Sequence, residues 1–238
     1  MTREHSGPLD FRAIRSVWFD FDDALVLTRG PHNEGPAVAC HKTVASEVYG
    51  HTLTDEVVDR YWGKGLKVEL PNFYGMPEAS FEEMLGHFIA ASERFPKPLL
   101  PGARDLLDAL RKAEVPVGIL TSLLGGVAVE QMRMAGLDPA DFVAVQGPDV
   151  TELIKPDKRA FDKALGLLAV KGISPHEVLY VGDAMSDATA STGAGLQFVG
   201  VATGRVSEDA FYEAGYDAVA GLQGVQTLLA PILRAASL

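Results

Sequence analysis

Cysteine is almost absent from this sequence. Cys40 is the only one in 238 residues, so no disulfide can close within the chain and no oxidising compartment is required. A lone cysteine of this kind reads as a packing residue rather than a nucleophile. Basic residues are also scarce: 21 Lys and Arg stand against 32 Asp and Glu, a net charge of −11. No Lys/Arg run rises above that acidity, which argues against a nucleic-acid partner. Long hydrophobic runs are missing too. The longest, residues 115–129, is interrupted by Pro116, Thr121, Ser122, Gly125 and Gly126, so it cannot span a bilayer. Residues 1–9 have no apolar core and do not read as a signal peptide. The expectation is a soluble, cytoplasmic chain, monomeric by default, with no membrane partner.

What is present is enough apolar material for a core, 47% of residues. It comes as short runs alternating with helical patterns. Residues 14–19 (IRSVWF), 115–120 (VPVGIL), 142–145 (FVAV), 178–181 (VLYV) and 197–201 (QFVGV) read as strands. They are continuous rather than alternating, as parallel strands buried on both faces should be. Helices are predicted over 103–113 and 157–168. This order implies an α/β fold with a doubly wound parallel sheet. Residues 28–99 break the alternation. They contain helical patterns near 35–49, 54–61 and 78–94 and no convincing strand. The Pro-rich stretch 96–102 (PKPLLPG) reads as a hinge back into the sheet.

Polar groups gather where the strand-like runs end. Asp20 and Asp22 follow the first run. Two apart on an extended chain, they point the same way, and as close carboxylates they need a cation or a proton between them. Thr121 and Ser122 follow the second run and offer a hydroxyl and backbone N–H groups to phosphate oxygens. Lys155 precedes Pro156, which suits a first helical position. Gly182 permits a tight turn before Asp183, and Asp187 lies about one helical turn further on. An oxygen-only ligand set suits Mg²⁺ better than Zn²⁺. Each feature alone also fits a helix cap, a solvated turn or a solvated lysine. Their order, each after a strand-like run, does not arise easily by chance.

Asp20-x-Asp22, Thr121-Ser122, Lys155-Pro156 and Gly182-Asp183-xxx-Asp187 together resemble the phosphatase branch of the haloacid dehalogenase (HAD) superfamily. The resemblance implies a Rossmann-like three-layer core, residues 1–28 and 99–238, with an inserted helical cap, residues 29–98. It implies a phosphatase that hydrolyses small phosphorylated metabolites through an aspartyl phosphate. Asp20 would be the nucleophile and Asp22 the general acid and base. Thr121 and the Ser122 N–H would hold the phosphoryl group, and Lys155 would bridge it to the nucleophile. Mg²⁺ would be bound by Asp20, Asp183 and the backbone carbonyl of Asp22, with Asp187 in support.

Two positions depart from the family pattern. Ala24 stands where a hydroxyl often orients the second Asp, and Leu27 where an Asp is common. The loop 63–67 (GKGLK) is read as flexible and basic and resembles a cap loop that reaches into the site, so Lys64, and after it His32, are the substrate-binding candidates. A phosphosugar mutase of the β-phosphoglucomutase type would use the same aspartyl phosphate, and a catalytically silent binding protein would keep the same fold. A receiver domain is about half this length and has no such insert.

Overall fold

The computed structural model describes residues 9–235. Residues 1–8, which carry most of the signal-peptide reading and the start of the expected core, lie outside the described residues. Strand β1 (Ser16–Phe19) leads into four helices, α1 (Pro36–Glu47), α2 (Asp55–Tyr61), α3 (Leu66–Tyr74) and α4 (Phe81–Ser92). Then follow α5 (Ala103–Lys112), β2 (Val117–Leu120), α6 (Gly125–Met134), β3 (Val145–Gln146), α7 (Pro148–Thr151) and α8 (Asp162–Val170). The chain ends with β4 (Val178–Gly182), α9 (Met185–Gly193), β5 (Gln197–Val201), α10 (Glu208–Glu213), β6 (Ala218–Val219), α11 (Leu222–Leu228) and α12 (Ala230–Ala235).

The six strands form one sheet in the order β3-β2-β1-β4-β5-β6, and each neighbouring pair is parallel. Side chains alternate across it. Val17, Phe19, Ile119, Leu179 and Val181 pack on one face with Leu106 of α5 and Leu222 of α11. Trp18, Tyr180 and Phe198 pack on the other with Ala164 of α8, Ala188 of α9 and Phe211 of α10. The strands read as unbroken apolar runs because both faces are covered. Gly118 is required within β2, since a Cβ there would lie 2.4 Å from the Trp18 indole.

Helices α1–α4 share a separate core of Val38, Val44, Leu70, Phe73, Met84 and Phe88, closed by Leu123 and Val127 from the sheet side. The chain enters and leaves this group of helices by two antiparallel connections. The Leu27 N–H donates to Pro98 O at 2.8 Å and the Leu100 N–H to Leu25 O at 2.9 Å.

Several expectations change. Residues 142–145 were expected to be a strand, but only 145–146 is one, because the 3₁₀ turn Pro139–Asp141 runs into it. Residues 157–168 open as a 3₁₀ turn, Lys158–Phe161, before α8, so Pro156 precedes the helix rather than starting it. The expected flexible loop 63–67 is shorter: Gly65 is the N-cap of α3, and Lys67 lies in its first turn. Pro71 inside α3 hides its helical pattern, since proline lacks the N–H that a helix interior uses. Neither β6 nor the helices after β5 were anticipated.

Candidate active site

Because β2, β1 and β4 are adjacent and parallel, their C-terminal ends share one edge of the sheet. Thr121, Asp20 and Asp183 follow those ends directly. The Asp20 N–H donates to Val181 O at 2.9 Å, which continues the β1–β4 ladder and fixes Asp20 beside Asp183. The Thr121 N–H donates to Gln146 O at 2.9 Å, and the Thr121 hydroxyl accepts the Leu123 N–H at 3.1 Å.

Lys155 is 3% exposed, with Nζ donating to Tyr180 Oη at 2.9 Å. Nζ is also 2.9 Å from Asp20 Oδ1 and 2.5 Å from Asp187 Oδ1. These are ion pairs without hydrogen-bond directionality, so both carboxylate oxygens are buried without a hydrogen-bond partner. Burial alone would lower the Lys155 pKa, but Asp187 and Asp20 outweigh it and hold the ammonium charged. Asp20 moves the other way. Burial pushes it up to about 7, with Asp187 and Asp22 adding to the rise and Lys155 opposing it. Asp183 is pushed well up by burial and then by the charges of Asp187 and Asp20.

Asp20, Asp183 and Asp187 each offer an oxygen within 4.8 Å of the others. Three crowded carboxylates that share one lysine between two of them suit a hard divalent cation, and the all-oxygen set fits Mg²⁺. Two glycines, Gly182 beside Asp187 and Gly204 beside Asp183, make room for them. A Cβ on Gly182 would meet Asp187 Oδ2 at 2.4 Å. The Ala184 N–H donates to that same oxygen at 3.0 Å.

The Asp22 carboxylate lies outside this cluster. Its Oδ1 accepts from Thr28 Oγ1 at 2.7 Å and from Lys97 Nζ at 2.5 Å. Thr28 therefore supplies a hydroxyl to Asp22 even though position 24 is alanine. Asp23 anchors the same segment by accepting the N–H groups of Thr28, Arg29 and Gly30 at 2.9–3.1 Å.

A cavity of about 430 Å³ lies between the sheet edge and helices α1–α4. That suits a small metabolite. Asp20, Asp22, Thr121, Ser122, Lys155, Asp183 and Asp187 all line it. Lys64 lines it as well, from an exposed position with Nζ 5.2 Å from the Tyr61 ring centre. His32 is not among the lining residues. It is exposed, and its N–H is turned to Glu34 Oε2 at 2.7 Å. Thr28, Arg29, His41, Trp62, Glu69, Lys97 and Arg205 also line the cavity, and no sequence motif marks them. His41 is fully enclosed, stacked on Phe88 at 4.6 Å, and burial pushes its pKa down to about 3, so it is neutral. Glu69 accepts the Gly63 N–H at 2.7 Å. Arg205 Nη1 is 3.3 Å from Asp59 Oδ1 on α2, and Arg29 contacts the same oxygen, so one helical carboxylate holds two arginines.

The family model described as haloacid dehalogenase-like hydrolase matches residues 17–201. A phosphoglycolate phosphatase of Pseudomonas putida is 34% identical over 107 residues, 44% of this chain and 37% of that protein. A phosphoglycolate phosphatase of Yersinia pestis is 26% identical over 203 residues, 82% of this chain and 83% of that protein. In structure, a Thermotoga maritima protein provisionally assigned as a beta-phosphoglucomutase aligns with TM-score 0.70 and 23% identity, covering 91% of this chain and 99% of that one. With its motifs converging on one sheet edge and the family model covering most of its length, the chain belongs to the haloacid dehalogenase-like hydrolases.

Proposed function

We propose that the chain is a magnesium-dependent phosphatase that hydrolyses small phosphorylated metabolites through an aspartyl phosphate on Asp20. The observation that carries this is the placement of two carboxylates with different surroundings in one cavity. Asp20 sits in the metal-suited cluster against Lys155, while Asp22 is held apart by Thr28 and Lys97. Two carboxylates set in unlike environments can divide nucleophile and acid–base roles.

Asp20 attacks phosphorus, and the bond to the leaving oxygen breaks as Asp22 gives that oxygen a proton. A water then loses its proton to the Asp22 carboxylate and attacks the aspartyl phosphate, which releases inorganic phosphate and restores Asp20 as a carboxylate and Asp22 as the carboxylic acid it was at the start. Thr121, the Ser122 N–H and Lys155 hold the phosphoryl oxygens through both steps. A magnesium ion held by Asp20, Asp183 and Asp187 would supply positive charge against the transferring group. Bound there, it would also keep Asp20 ionised despite its burial. Helices α1–α4 act as the cap that shields the site from bulk water, and Lys64 at the cavity rim is the first candidate for contact with the substrate. A partner nucleic acid finds no support in the charge balance. Among the described residues no helix is long and apolar enough to cross a membrane.

The test is phosphate release from a panel of phosphorylated metabolites, with and without Mg²⁺, in the wild type and in Asp20→Asn. Phosphoglycolate leads the panel because several relatives, those of Pseudomonas putida and Yersinia pestis among them, are named for it. Magnesium-dependent release that Asp20→Asn abolishes supports the reading; release that survives the substitution overturns it. Transfer to a sugar hydroxyl in place of release marks a mutase.

A further inference from the structure

Lys97 is an unusual lysine. Only 6% of its surface is exposed, and its ammonium lies 5.7 Å from the centre of the Phe21 ring. A buried ammonium needs a partner, and this one has Asp22 Oδ1 at 2.5 Å. The same oxygen takes the Thr28 hydroxyl at 2.7 Å. Oδ2 of Asp22 accepts no bond from the protein among the described residues, so one oxygen is fixed and the other is presented to the cavity.

The two donors come from opposite ends of the helical insert. Thr28 lies on the way in and Lys97 on the way out, and the two connections are tied together by the Leu27 and Leu100 N–H bonds. Both donors meet Asp22 in the structure in which these connections are paired. We propose that Lys97 is a positioning residue for Asp22: with Thr28 it clamps Oδ1, so that Oδ2 points at the leaving group, and it makes this aim depend on the seating of the insert. The inference rests on the phosphatase reading above. It adds a residue that does not touch the phosphoryl group.

A mislaid general acid has a characteristic signature. An alkoxide leaving group needs a proton as it departs, whereas p-nitrophenolate leaves as a stable anion. The value of kcat/KM covers only the steps up to the first irreversible one, here formation of the aspartyl phosphate. Loss of aim at Asp22 therefore lowers kcat/KM for alkyl phosphates and largely spares it for p-nitrophenyl phosphate.

The experiment measures kcat/KM with Mg²⁺ for phosphoglycolate and for p-nitrophenyl phosphate in the wild type, Lys97→Met, Thr28→Val and the double variant. Lys97→Met is expected to lower the phosphoglycolate value by about tenfold or more and the aryl value several times less, the alkyl loss lying within the range of general-acid effects. The double variant should lose less than the product of the single losses, because both act through one oxygen. Equal losses for the two substrates, or no loss for either, overturn the proposal. If Lys97→Met does not fold, by circular dichroism and melting, Lys97→Gln replaces it: its amide still donates to Oδ1, and the same alkyl-selective deficit, smaller in size, is required. The alkyl phosphate that the wild type hydrolyses best in the metabolite panel takes the place of phosphoglycolate if the two differ; failure of the wild type to release phosphate from any member of the panel and from p-nitrophenyl phosphate overturns the phosphatase reading itself, and this inference with it, before any variant is made.

Discussion

Gly204 lies against Asp183 so closely that a Cβ at position 204 would stand 1.9 Å from Asp183 Oδ2. No flexible rearrangement of a surface side chain can absorb this, because the carboxylate belongs to the metal-suited cluster. Gly204→Ala is expected to turn Asp183 away and weaken Mg²⁺ binding by about 10- to 100-fold, the scale seen when the supports of a metal ligand are lost. Isothermal titration with Mg²⁺ measures it. Gly166→Ala, where a Cβ meets open space, serves as the control and should bind as the wild type does.

Ala24 is fully buried, and Thr28 already supplies Asp22 with a hydroxyl. Restoring the hydroxyl that relatives of this fold often carry at position 24 should therefore bring no gain. Ala24→Thr is expected to leave kcat unimproved and to lower the melting temperature, since overpacking costs about 1–3 kcal/mol. A rise in kcat would show that Thr28 does not compensate.

Glu69 carries a pH-dependent cost. Burial, as the largest influence, pushes its carboxyl up to about 7 against the opposing N–H groups of the 63–65 loop, and Asp22 adds to the rise. A carboxyl whose folded pKa lies above its unfolded value favours the fold while protonated. That contribution is complete below the unfolded value, near 4.5, and is lost as pH climbs through about 7. The interval corresponds to on the order of 3 kcal/mol. Glu69→Gln should thus melt several degrees higher than the wild type at pH 8 and near it at pH 5. A melting difference that does not change with pH would rule this out.

Arg205 and Asp59 join the loop after β5 to helix α2 through exposed groups, with side chains 43% and 41% accessible. Such a pair contributes little to stability, about 0–1 kcal/mol. Arg205 lines the cavity, however, so the pair bears on how helix α2 sits beside it. Arg205→Gln is expected to raise KM by about two- to fivefold with little change in melting temperature. Added salt should raise KM in the wild type and much less in the variant.

Much of this site is legible in the sequence, and for one reason. Asp20, Thr121 and Asp183 each follow an apolar run, and a parallel sheet with known neighbours brings such positions to one edge. The groups that tune them are less visible. Lys97 reaches Asp22 across 75 positions, and nothing local distinguishes it from the solvated lysine expected in a Pro-rich hinge. Tyr180 reads only as an apolar strand residue until its hydroxyl is found on Lys155 and on Leu120 O at 2.6 Å. Glu69 was hidden with α3, whose Pro71 broke the pattern. His32 misled because its place at the start of the insert suggested the cavity, whereas its side chain faces solvent.

Strand β1 comes first in the chain yet lies inside the sheet, between β2 and β4. Its partners begin at Val117 and Val178, so roughly 160 residues must follow Ser16 before both of its edges can be paired. At about 5–20 residues per second on the ribosome, the strand that leads into Asp20 waits on the order of ten seconds or more with its edges unpaired. The helices of the insert emerge meanwhile and can gather on their own local core. Synthesis thus delivers the helices of the insert before the sheet edge they face, and a chain released early would keep the helices without ever bringing Asp20, Thr121 and Asp183 together.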